Sequence, residues 1–82
     1  MTDESKEIMK ELATLIYKQT KNQNFTRNIC LFMDTDAQKQ ELIKFIKENN
    51  PSLTEINHYS FDIVMFEKMG KRLELESEAG DN

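Results

Sequence analysis

The first pattern along the chain is an apolar stripe at helical spacing. Ile8, Leu12, Leu15 and Ile16 recur at i, i+4, i+7 and i+8, and Met9 widens the face, which predicts an amphipathic helix over 3–20. Thr2 is placed to cap it, Asp3 and Glu4 sit in its first turn, and Lys18 and Lys21 lie near its end. Each of these signs suits the helix dipole. Asn22-Gln23-Asn24 then interrupts the pattern, because short amides favour turns over helix interiors.

Two apolar runs without alternation follow. Ile29-Cys30-Leu31-Phe32-Met33 is too short for a helix by itself and bounded by polar residues, so it reads as a strand covered on both faces. Phe61-Asp62-Ile63-Val64-Met65-Phe66 has the same character. Between them, Thr35 and Gln38 match a capping box. The helix they open runs to about Glu48, with Ala37, Leu42, Phe45 and Ile46 inward and Ile43 beside them. Asn49-Asn50-Pro51 ends it. Ser52 and Glu55 form a second possible box, enough for one short turn holding Leu53 and Ile56. Lys68-Met69-Gly70-Lys71 suits a hairpin turn, and Leu73 and Leu75 alternate with Arg72, Glu74 and Glu76 as an edge strand does.

These elements predict a small α/β (α+β) domain over 1–76, in the order α-β-α-β-β. It would hold a right-handed β-α-β crossover joining strands 29–33 and 61–67, then a C-terminal hairpin with strand 72–76 antiparallel. The competing expectation makes 61–75 a helix, since Asp62, Phe66, Met69 and Leu73 share helical spacing and Ser60 is placed to cap it.

Charge sharpens this picture at one end. The 82 residues hold 15 acids and 11 bases, a net charge of −4. Up to Leu73 the two signs balance, and Glu74, Glu76, Glu78 and Asp81 carry the whole excess. Residues 77–82 read as a flexible acidic tail with no apolar anchor beyond Ala79. An acidic balance disfavours nucleic acid or an anionic membrane as partner. A single cysteine makes no internal disulfide, no apolar run approaches the ~18–20 residues that span a bilayer, and the first residues lack a basic, apolar leader. A cytoplasmic protein is the expectation.

Candidate chemistry is sparse. Asp34-Thr35-Asp36 sits at the expected carboxyl end of a strand, where ligands collect in open α/β sheets. Two carboxylates two residues apart suit Mg²⁺, and the helix start behind them suits a phosphate, although no glycine-rich phosphate loop accompanies them. The plainer reading is that both acids cap and charge-match the following helix. Lys68, Lys71 and Arg72 form a basic contact patch, to which Lys18, Lys21 and Arg27 add if the fold brings them near; Glu67, Glu74 and Glu76 flank it. Cys30 reads as a buried thiol and His58 as a surface imidazole. One Cys and one His fall short of a zinc set and lack an orienting third group for nucleophilic catalysis. No cofactor and no catalytic constellation is expected.

Leu42 to Leu75 loosely resembles a winged helix-turn-helix: a helix, Pro-Ser-Leu-Thr-Glu-Ile, a second helix, then a glycine-bearing turn and strand. The resemblance implies a mostly helical fold and a DNA-associated regulator. Against it, Glu55 to Ser60 is short for the usual supporting helix and turn. Phe61 to Lys68 would also present Ile63, Val64, Met65 and Phe66 where base-reading polar side chains belong.

The apolar supply also exceeds what two helices cover. Leu53, Ile56, Tyr59, Phe61, Met65 and Met69 all want burial, and methionines such as Met9, Met65 and Met69 suit adaptable surfaces. The leading expectation is therefore a non-enzymatic protein–protein interaction module, self-associating as a homodimer or docking a protein partner.

Overall fold

The computed structural model describes the backbone of residues 2–80 and the side chains of residues 2–71. Four helices follow one another: α1 (Asp3–Thr20), α2 (Gln23–Phe32), α3 (Asp36–Asn49) and α4 (Leu53–Gly80). No strand occurs among the described residues. The molecule is a helical bundle, and the expected α/β sheet with its β-α-β crossover is overturned.

α1 forms as its stripe predicts. The Thr2 hydroxyl accepts from the Ser5 amide, and Lys21 ends the helix in the left-handed conformation at φ 54°. The Asn22 side chain then accepts from the Phe25 amide and starts α2 at once. The amides at 22–24 are thus a helix start as well as a stop. They launch ten residues of helix through the run expected as strand 29–33.

The physical reason for that correction is periodicity hidden by brevity. In a helix, neighbouring apolar residues diverge. Ile29, Cys30 and Met33 turn inward, whereas Leu31 is 72% exposed. Upstream, Thr26 is also buried, its hydroxyl donating to the Asn22 carbonyl at 2.8 Å. The inward set is therefore i, i+3, i+4 and i+7, a helical face that one polar Thr disguises.

α3 carries the full capping box: Gln38 N–H donates to Thr35 Oγ1 at 3.1 Å, and Thr35 N–H to Gln38 Oε1 at 3.1 Å. It ends at Asn50, left-handed at φ 46°, followed by the buried Pro51. Leu42, Ile43 and Ile46 are buried and Phe45 half-buried; Ala37, expected inward, is exposed.

α4 corrects the rest. The Ser52–Glu55 pair does bond reciprocally, with Glu55 N–H donating to Ser52 Oγ at 3.3 Å and Ser52 N–H to Glu55 Oε1 at 3.4 Å. In place of one short turn, it opens 28 residues of helix. The second expected strand (61–67), the hairpin turn at 68–71 and the edge strand 72–76 all lie inside it. Residues 61–75 are helical, as the competing expectation has it, but the wing of a winged helix is missing because its strand positions are helical too. Gly70 has no positive φ and serves no turn. Of the expected tail, Ser77–Gly80 fall in the backbone of α4, and Asp81–Asn82 lie outside the described residues.

α1 is the hub, packing on α2, α3 and α4, while α3 also packs on α4. The core is Ile8, Leu12 and Ile16 of α1 against Ile29, Cys30 and Met33, Leu42, Ile43 and Ile46, and Ile56, Ile63 and Val64. The radius of gyration is 14.7 Å, against about 12 Å for a compact chain of this length. α4 accounts for the excess: 28 helical residues extend about 42 Å, most of the 51 Å long dimension.

Candidate interaction surface

Asp34-Thr35-Asp36 is a junction between helices. Gln38, buried at its side, accepts from the Asp34 amide at 2.8 Å as well as from the Thr35 amide, and its amide nitrogen donates to Glu67 of α4. Asp36 Oδ2 accepts from the Ser5 hydroxyl at 2.6 Å, which ties α3 to the start of α1. The Lys39 ammonium lies 4.0 Å from the other oxygen, Asp36 Oδ1. Three backbone donors of this turn are engaged locally, the Asp34 and Thr35 amides by Gln38 and the Gln38 amide by Thr35. The geometry shows these residues capping α3 and fastening it to α1 and α4. No group of three His, Cys, Asp or Glu side chains is placed to share a metal ion among the described residues.

Of the basic patch, Lys68 and Lys71 stand three residues apart on α4 and so share one side of it. Lys68 and Lys71 are exposed on α4, and Lys71 Nζ lies 3.9 Å from Glu67 Oε1. The side chain of Arg72 is outside the described set. Lys18 and Lys21 line a separate cleft with Tyr17 near the α1–α2 junction, and Lys21 Nζ sits 5.9 Å from the Tyr17 ring centre. Cys30 is buried, and burial raises its thiol pKa, with Lys39 acting in the opposite sense. The thiol is therefore neutral and unreactive at pH 7. His58 is exposed on α4.

The largest feature is one that reading the runs as strands hid. α4 buries Ile56, Ser60, Ile63 and Val64 on one side. On the opposite side Phe61, Met65, Phe66 and Met69 are 54%, 42%, 80% and 57% exposed. Phe61, Met65 and Met69 stand at i, i+4 and i+8, so they form one ridge, and Phe66 flanks it. A helix apolar all round is normally buried all round. Between Ile56 and Met69 the sequence carries two interleaved helical stripes, one buried and one exposed.

A cleft borders the ridge on each side. One, of about 440 Å³, lies between α3 and α4 and is lined by Glu41, Tyr59, Asp62, Ile63, Met65, Phe66 and Met69. The other, of about 300 Å³, lies between α2 and α4, with Phe25, Phe32 and Phe61 among its walls. Tyr59 fixes the first cleft. Its ring stacks on Phe45 with centres 3.9 Å apart, and its hydroxyl donates to Glu41 Oε1 at 3.5 Å. Desolvation raises the phenol pKa, and the Glu41 and Glu48 carboxylates push it the same way. No helix is long and apolar enough to cross a membrane among the described residues. Comparison with known proteins returns no matching family model, no matching curated protein and no matching solved structure.

Proposed function

We propose that this protein is a non-catalytic interaction module of the cytoplasm whose working surface is the outer face of α4. One observation carries the reading: four large apolar side chains, Phe61, Met65, Phe66 and Met69, stand exposed on one side of a helix whose other side is the core. Contiguous exposed apolar surface of this kind marks protein-binding sites, and an apolar ridge between two clefts is a form that a partner helix fills. Burying such side chains contributes about 25 cal/mol per Å² of area removed from water. The free, buried thiol of Cys30 accords with a reducing compartment.

The occupant is a protein partner or a second copy of the chain. A DNA-binding role has less support, because Asp62 and Glu67 lie within the would-be reading helix and Phe61, Met65 and Phe66 dominate its exposed side. The test pairs Phe61→Ser/Phe66→Ser with the wild-type chain in quantitative affinity capture and in sedimentation equilibrium. The reading expects the double variant to lose its captured partner or its dimer while melting at the same temperature. Identical capture and identical association state for the two proteins would overturn it.

A further inference from the structure

We propose that the α3–α4 cleft and the ridge beside it take a basic amphipathic helix from a partner protein. The inference rests on the interaction reading above and adds the partner's form and charge.

The form follows from the ridge. Phe61, Met65 and Met69 offer apolar contacts at successive turns of α4, and Phe66 lies between them and a cleft of about 440 Å³. A helix presenting apolar anchors at i, i+3 or i+4, and i+7 matches that spacing. Two of the three contacts are methionines, whose unbranched side chains adapt to whatever anchor arrives.

The charge follows from what surrounds the cleft. Between Leu53 and Glu67, α4 carries Glu55, Asp62 and Glu67 and no Lys or Arg. Glu67 is already engaged by Gln38 and Lys71. Across the cleft, Glu41 bonds only the Tyr59 hydroxyl; Lys44, exposed three residues on along α3, lies beyond 4.0 Å from its carboxylate, and Lys47 is held by Glu11 on the α1 side. Neither Glu41 nor Asp62 has a cationic partner within 4.0 Å among the described residues. Lys68 follows Met65 by three residues and Phe61 by seven, so it borders the ridge on the edge away from the α3–α4 cleft.

That field selects among occupants. A phosphate backbone or an anionic lipid surface meets it with like charge. A second copy related by a two-fold axis presents the same cleft, with its unpaired Glu41 and Asp62, and so brings no excess of positive charge to it. A partner helix with Lys or Arg flanking its apolar anchors supplies the missing sign, and complementary charge both speeds docking and fixes its register.

The test uses the full chain and three synthetic probes: a Leu/Lys amphipathic helix, its twin with Glu for Lys, and a scrambled peptide of the basic composition. Amide NMR titration should show saturable shifts at Glu41, Tyr59, Asp62, Met65, Phe66 and Met69 with the basic amphipathic probe alone. Glu41→Gln/Asp62→Asn should weaken its binding by about tenfold, and added salt should weaken it further. Glu4→Gln/Glu7→Gln, which removes as much charge from α1, should leave it unchanged. If the Glu twin binds the same residues as tightly, the charge inference is overturned while the interaction reading stands. If the α1 variant weakens binding equally, the attraction is diffuse and the inference is overturned. If no probe binds and the chain dimerises through α4, the partner-helix inference falls and the interaction reading survives as self-association. If no probe binds and Phe61→Ser/Phe66→Ser changes neither capture nor association, both fall.

Discussion

The two sides of α4 are built from equally apolar residues and have opposite fates. Ile56, Ser60 and Val64 are 0%, 0% and 2% exposed, while Phe61 and Phe66 are 54% and 80% exposed. Shape separates them better than hydrophobicity. The inner side uses β-branched and small residues, which let helix axes approach and leave few voids. Ser60 fits there because its hydroxyl donates back to the Ile56 carbonyl at 2.6 Å and leaves no unpaired polar atom. The outer side holds the bulky rings, of which Phe61 only borders the cleft with Phe25 and Phe32 and Phe66 stays 80% exposed. One side therefore serves folding, and the other is left for association.

The sharpest way to break that comparison is to cut into the inner side. Ile56→Ala should lower the unfolding free energy by about 2–5 kcal/mol, the range for removing a buried Ile side chain and leaving a cavity. Urea unfolding followed by circular dichroism reads this directly. A loss of less than about 1 kcal/mol would mean that the α4 contact contributes little to stability, and the inner side would then resemble the outer one.

A smaller effect is expected where α3 begins. Thr35→Ala removes the hydroxyl that accepts from the Gln38 amide and should cost about 1 kcal/mol. The same unfolding assay reads it. A stabilising or neutral result would argue that Asp34-Thr35-Asp36 is maintained for a ligand at the expense of the cap.

The same residues show how much of the fold was legible. Thr2, the Thr35–Gln38 box, Asn50 and Pro51 announced α1 and α3, because capping is chemistry between residues three or four apart and needs no tertiary context. The Ser52–Glu55 box was legible too, but the length of α4 was not. Nothing local separates a six-residue apolar run in a central strand from a stretch of helix apolar on two sides. The arbiter is what covers the second side. For Ile29–Met33 the answer is partial cover, with Leu31 left 72% exposed. For Phe61–Phe66 cover on that side is slight among the described residues, with Phe61 54% and Phe66 80% exposed. The acidic and basic candidates were found by residue type, and only packing showed that Asp36 faces Ser5 and that Glu67 is held between Gln38 and Lys71.

Alkaline pH offers a gentler probe of the buried side. The Cys30 thiol has its pKa raised by burial, so the folded state holds its proton more tightly than the unfolded chain does. Stability from this group is complete below the unfolded thiol pKa, about 8.5, and declines as pH rises from there through the folded value. The urea midpoint should therefore fall between pH 8 and 10, and Cys30→Ala should flatten that fall relative to its own value at pH 7. An identical pH slope in the variant would show that Cys30 ionises as freely in the fold as out of it. Tyr59 adds a decline of the same sign at higher pH, since its phenol is also raised.

The smallest expected change is the most informative about function. Phe66 is 80% exposed, so Phe66→Ser removes almost no contact from the folded chain. Its unfolding free energy should stay within about 0.5 kcal/mol of the wild type, as for surface substitutions generally. Set beside the loss at Ile56, that result would make the difference between the two sides of α4 quantitative: one apolar residue that stability requires, and one that it does not. A ring that contributes nothing to folding yet keeps a large apolar surface in water is a standing liability for aggregation, and association is the physical benefit that offsets it. If Phe66→Ser instead costs as much as Ile56→Ala, the ring is packed in the native state in solution, and the outer side of α4 is already covered by a second copy.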